Sequence, residues 1–252
     1  MFQNRPPLPK YQETWDVDVV LKFLADWQDA ENLSLQRLTY KTVMLLALLT
    51  GQRGQSLHNL KVDDVRLYQN KCVLVFSALL KQSRPGVHLK PINLDRFHNP
   101  KLCVVSHVKE YIKKTRERRK GQQLFISYVA PFKSVSRDTI SRWIKIVLQQ
   151  AGVDVEKFSP HSTRSASTSA MYNRGASLDS ILQAAGWSTD STFKKFYLKS
   201  IQPSVADDSG AQDRKSLSQS VLDSFIKKQT KTENSKVRHS CQNKVDIKYV
   251  LN

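Results

Sequence analysis

The sequence predicts a mainly helical α+β domain with a small antiparallel sheet inserted near its middle. Three observations lead there. Apolar residues recur at helical spacing on both sides of the chain's centre. At the centre, Cys72–Phe76 (CVLVF) and Val87–Leu94 (VHLKPINL) are short runs of strand-forming residues. Between those runs, Ser83, Pro85 and Gly86 carry turn chemistry, so a hairpin is the simplest connection.

The elements follow in order. Residues 1–13, with Pro6, Pro7 and Pro9, read as a flexible lead-in. A helix is predicted from Thr14, which can cap it, with Val17, Val20, Leu21 and Leu24 along one stripe. A second helix is predicted from about Thr39 to Leu49. It is almost continuously apolar and therefore buried, and Gly51 supplies its C-terminal cap. After the hairpin, apolar runs at Leu102–Val105 and Leu124–Ile126 bracket a helical stretch ending in Lys113–Lys120. From Ser136 a further helix carries Ile140, Ile144, Val147 and Leu148 up to Gly152. Ser165–Tyr172 and Leu178–Ala185 read as two more helices, separated by Gly175. The domain is thus placed at 14–202. Residues 203–252 are rich in Ser, Asp and Gln, then in Lys, Asn and Ser. They read as a mostly disordered basic tail with one short helix at Ser218–Lys227.

Charge narrows the function. The chain has 252 residues, 40% hydrophobic and 25% charged, with a formal net charge of +18 that falls mostly ahead of residue 203. Such a charge opposes compaction and answers a polyanion, nucleic acid first and an anionic membrane surface second. No apolar run approaches the ~18 residues that span a bilayer. The polar, proline-rich N-terminus has no signal-peptide core, so secretion is not expected. Cys72, Cys103 and Cys241 are odd in number and far apart, which points to free thiols, not a disulfide framework or a zinc site.

Four pieces carry candidate chemistry. Arg53 follows the end of the buried helix in Thr50-Gly51-Gln52-Arg53. Lys81 sits in the predicted hairpin. His161 and Arg164 lie three apart at a helix start in Ser159–Arg164. Trp187 follows Ala185-Gly186 and precedes Tyr197 by ten residues. Each alone has an ordinary reading: a solvated arginine, a helix start, a packed tryptophan, a half-buried tyrosine. In order, as Arg53, Lys81, His161, Arg164, Trp187 and Tyr197, they resemble the catalytic domain of tyrosine recombinases, the phage-integrase-like enzymes. The phrases LLKQSRPG (79–86), PHSTRSAS (160–167) and AAGWSTDSTFKKFY (184–197) look most like recombinases of DIRS-like and Crypton-like eukaryotic mobile elements.

The resemblance implies the fold of the DNA breaking-rejoining enzymes and a reaction with duplex DNA. Tyr197 would be the nucleophile. Arg53 and Arg164 would present rigid donor forks to the oxygens of the attacked phosphate. His161 would act as base or phosphate donor, Lys81 would protonate the leaving 5′ oxygen, and the Trp187 indole would donate one hydrogen bond. No metal and no ATP are implied, because the arginines supply charge and the phosphotyrosyl link conserves the ester's energy. Four copies would assemble on DNA, and a eukaryotic host would place the protein in the nucleus.

Two departures stand out. Family members often carry an acid three positions after the first arginine, where this chain has Ser56. They also usually carry a helical domain ahead of the catalytic one, whereas about 13 residues precede the first predicted helix here. A half-clamp of this kind is expected to hold DNA weakly, whether the chain is a fragment or a shortened copy. Arg137, Arg142 and Lys145, on the helix from Ser136, are candidate DNA contacts or else a solvated face. The run Lys113, Lys114, Arg116, Arg118, Arg119 and Lys120 is a phosphate contact, a nuclear address or solvated charge. Two other functions stay open at this point: a decayed, domesticated DNA-binding protein, and a type IB topoisomerase with a similar site.

Overall fold

In the computed structural model, residues 12–78 and 89–202 are described. Lys81, the turn around it and the residues after Gln202 lie outside them, as does nearly all of the lead-in.

The described chain opens with a two-residue strand, β1 (Glu13–Thr14), and then α1 (Val17–Ala25). The predicted cap at Thr14 is corrected. Asp16 caps α1 by accepting from the Asp18 N–H, and Thr14 is buried in the strand. Asp outcompetes Thr here because its carboxylate also sits at the positive end of the helix dipole. Val17, Val20, Leu21 and Leu24 form the buried stripe.

Helix α2 (Leu35–Thr50) begins a full turn earlier than predicted, capped by Ser34, whose hydroxyl accepts from the Arg37 N–H. Every residue from Leu38 to Thr50 is buried. The helix runs through the middle of the domain, with α4 (Val104–Thr115), α5 (Arg137–Gln150) and α6 (Ser162–Asn173) packed around it. It ends at Gly51, whose φ of 57° is left-handed. A Cβ there would also stand 2.9 Å from the Thr168 methyl, so both conformation and close packing require glycine.

The short helix α3 (Gly54–His58) leads to the sheet. The hairpin is present: β3 (Lys71–Leu74) pairs antiparallel with β4 (Ile92–Asp95), from Lys71 opposite Asp95 to Leu74 opposite Ile92. Pro91 stands just before β4, where its missing N–H leaves the ladder intact. A third strand, β2 (Val65–Leu67), pairs with β3 on its other edge. Its three residues are too short a run to show alternation in sequence.

Helices α7 (Leu178–Ala185) and α8 (Asp190–Phe196) complete the domain, followed by β5 (Ser200–Ile201). Strand β5 pairs with β1 in parallel, and the Gln202 N–H donates to the Thr14 carbonyl. The expected antiparallel sheet is β2-β3-β4, and this two-residue parallel contact is an addition to it. It joins segments nearly two hundred residues apart, which no local pattern encodes.

One buried group makes stability pH-dependent. His107 on α4 is fully buried. One ring nitrogen bonds the Cys103 carbonyl at 2.8 Å, and Nε2 has no partner among the described residues. Burial, with the Lys41 charge adding to it, pulls its pKa down to about 4 from 6.5. Below pH 6.5 the unfolded chain takes up a proton that the folded chain refuses until about pH 4. Stability therefore falls across that window as pH is lowered, by about 3 kcal/mol if no other group compensates. A melting-temperature series from pH 7 to 4 should show this fall, and His107→Leu should flatten it. An equally steep fall in the variant would assign the effect elsewhere.

Candidate active site

The site forms where three helix ends meet. Helix α6 follows His161 at its N-cap position and is buried along nearly its whole length, from Ser162 to Met171. Arg164, in its first turn, is 2% exposed. Its two terminal nitrogens donate to the Gly51 carbonyl at 2.6 Å and the Ala185 carbonyl at 2.7 Å. Those carbonyls lie at the C-terminal ends of α2 and α7, where helix dipoles place partial negative charge. A buried guanidinium thus finds two acceptors and two favourable fields. Gln52 reinforces the junction, donating to the Ala184 carbonyl at 2.5 Å. The Trp15 indole ties α6 to the segment before α1 by donating to the Ser162 hydroxyl at 2.8 Å.

Two aromatic rings cover Arg164. Its guanidinium carbon lies 4.1 Å from the Trp187 ring centre and 5.2 Å from that of Tyr197. The two rings are 4.6 Å apart. Trp187 reaches this place because Gly186 closes α7 in the left-handed region, at φ 70°, and turns the chain back. Tyr197 closes α8 and is half-buried, with its ring over the Arg164 guanidinium. The His161 side chain is exposed, with its ring 6.1 Å from that of Tyr197.

Arg53 is half-buried at the start of α3. Burial pulls the Arg164 pKa down to about 9. The Arg53 charge pushes the same way, and Tyr197 opposes both. Two like charges are therefore held together, an arrangement that favours an anion between or beside them. Arg164 Nε and Trp187 Nε1 are both buried without a partner among the described residues. Oxygen-rich chemistry suits such donors.

The structure thus brings Arg53, His161, Arg164, Trp187 and Tyr197 together from four separate stretches of sequence. Lys81 lies outside the described residues. Ser56, in place of the expected acid, is buried on α3, and its N–H donates to the Arg53 carbonyl at 2.8 Å. Sequence reasoning missed the two carbonyl acceptors, since backbone atoms leave no residue signal.

A model of the phage integrase family matches residues 14–202. The chain belongs to the phage integrase family. Two solved structures share the fold of this family member. The XerH site-specific recombinase, bound to its difH substrate before cleavage, is 15% identical with a TM-score of 0.55 over 74% of this chain. The XerA recombinase is 18% identical with a TM-score of 0.54 over 92% of this chain and 68% of its own. This integrase-family chain spans about half the length of XerH, 49%. No curated protein matches it by sequence.

The remaining basic residues divide by what they touch. Arg142 and Lys145 are exposed on α5. Arg142 donates to the Thr139 hydroxyl at 3.3 Å, and Lys145 pairs with Glu156 at 3.6 Å. Arg137 pairs with Asp138 at 3.1 Å, at the N-terminal end of the helix. In the 113–120 run, half of the charges hold the fold. Lys114 donates to the Glu31 and Leu33 carbonyls at 2.7 and 2.8 Å. Arg119 bonds the Gln123 and Leu124 carbonyls and the Thr115 hydroxyl. Arg118 stacks on Phe132 at 5.3 Å. A solvated run was only part of the answer, because Lys114 and Arg119 reach backbone carbonyls that need donors. Among the described residues no helix is long and apolar enough to cross a membrane.

Proposed function

We propose that this chain cuts and rejoins DNA strands through a 3′-phosphotyrosyl bond to Tyr197. The observation that carries the reading is the Tyr197 ring placed 5.2 Å from the buried Arg164 guanidinium, with the Arg53 charge alongside. In the forward step the Tyr197 oxygen attacks phosphorus, the bond to the 5′ oxygen breaks, and the 5′ hydroxyl leaves. The reverse step, with a different 5′ end, rejoins the strand. Negative charge grows on the non-bridging oxygens, where Arg53, Arg164 and Trp187 would donate. His161 would take the phenol proton, and Lys81 would protonate the leaving oxygen.

A DNA duplex nicked beside the cleavage position loses its 5′ fragment, so a covalent adduct accumulates. Adduct formation with such a substrate tests the proposal directly. Binding without adduct supports a DNA-binding protein that has lost its chemistry. Relaxation of supercoiled DNA without strand exchange between duplexes supports a topoisomerase.

Binding should be dominated by phosphate. Arg137, Arg142 and Lys145 are the proposed contacts on α5. The logarithm of affinity should fall linearly with that of salt, by about 0.9 per phosphate neutralised. Affinity that is flat from 50 to 200 mM salt would reject that footprint. The finer reading rests on the phrases at 79–86, 160–167 and 184–197. It makes the chain a mobile-element recombinase that works in the nucleus as a synaptic tetramer. Nuclear accumulation of the tagged chain, and four copies per DNA synapse, are the observations expected.

A further inference from the structure

Tyr197 ends a helix, and something must fix the chain where the helix stops. The Tyr197 N–H still donates to the Phe193 carbonyl at 2.9 Å, but its own carbonyl is one of the last in α8 and needs a donor from outside. The Ser169 hydroxyl supplies it, at 2.9 Å. The same oxygen accepts the Lys199 N–H at 3.0 Å. Ser169 is fully buried, so water is excluded as a replacement for either bond. One hydroxyl therefore closes a ring over the backbone from Tyr197 to Lys199. It projects from α6, the helix that carries Arg164, five residues and roughly 7.5 Å farther along the axis. Just beyond, β5 pairs with β1, so the segment is held a second time.

We propose that Ser169 is a positioning residue, which holds the Tyr197 backbone in register with Arg164 so that the hydroxyl meets phosphorus in line. The inference rests on the reading of Tyr197 as nucleophile. In-line attack is sensitive to displacement, and a shift near 1 Å costs about 10²-fold in rate. Ser169 is buried and bonds backbone atoms of Tyr197 and Lys199, so its effect should be confined to the rate of the covalent step.

The experiment is single-turnover adduct formation on a nicked suicide duplex, with wild type, Ser169→Ala, Ser169→Thr and a Tyr197→Phe blank. Rate constant and final amplitude are read separately, beside DNA affinity. Ser169→Ala should slow the covalent step at least tenfold, with near wild-type amplitude and affinity within twofold. Ser169→Thr keeps the hydroxyl and should recover most of the rate. A serine needed only for folding would lower the amplitude and leave the rate constant of the folded fraction unchanged. That result would overturn the inference, as would Ser169→Thr as slow as Ser169→Ala. Absence of adduct in wild type would instead remove the reading of Tyr197 itself.

Discussion

Tyr197→Phe should abolish the covalent adduct while leaving folding and DNA binding nearly untouched. The substitution deletes one oxygen and keeps the ring. That ring makes the contacts that matter for packing: Trp187 at 4.6 Å, the Arg164 guanidinium at 5.2 Å and His161 at 6.1 Å. What is lost is one half-buried hydroxyl, and any single hydrogen bond it makes is worth about 1 kcal/mol net. The melting temperature should therefore move by only a few degrees, and affinity for duplex DNA should stay within about twofold. Chemistry has no such reserve, because among the described residues Tyr197 is the hydroxyl-bearing ring over Arg164. A purely structural tyrosine predicts the opposite pattern, a loss of stability with chemistry intact. Melting temperature and adduct yield measured on one sample separate the two. A destabilised variant that still forms the adduct would place the nucleophile elsewhere.

The sequence made the helices legible where an apolar stripe coincides with a cap. Ser136 before Arg137–Gln150, and Gly51 after α2, are both found where the pattern puts them. Strand β2 and helices α3 and α8 are three, five and seven residues long, shorter than any period can reveal. The start of α6 shows another limit. Around Arg164 it is rich in serine and threonine that are nonetheless buried, and several of their hydroxyls bond backbone carbonyls, as Thr168 does to Arg164 at 2.8 Å and Ser167 does to Leu48. Composition alone reads such a stretch as surface. Residue types and order indicated Arg53, His161, Arg164, Trp187 and Tyr197 as one group. How they are held was not legible, since the acceptors for Arg164 are backbone carbonyls contributed by Gly51 and Ala185.

That mode of holding sets the second large expectation, for Arg164→Lys. Lysine keeps the charge but offers one compact ammonium in place of a planar fork. It cannot reach the carbonyls of Gly51 and Ala185 together while also lying flat against the Trp187 ring. At least one of these buried acceptors, at the C-terminal ends of α2 and α7, then loses its donor. Stability should fall by about 3 kcal/mol, near the cost of breaking a buried charged network. Adduct formation should fall further than stability explains. An oriented donor lost from the attacked phosphate is worth roughly 3–4 kcal/mol, a rate loss of 10²–10³. Arg53→Lys provides the contrast. Arg53 is only half-buried, so its replacement should slow the reaction with a much smaller change in melting temperature. Assays run well below both melting temperatures keep the folded fraction near one and isolate the rate. If Arg164→Lys reacted at the wild-type rate, or melted where wild type melts, the guanidinium would be neither the clamp between two helix ends nor the donor beneath Tyr197.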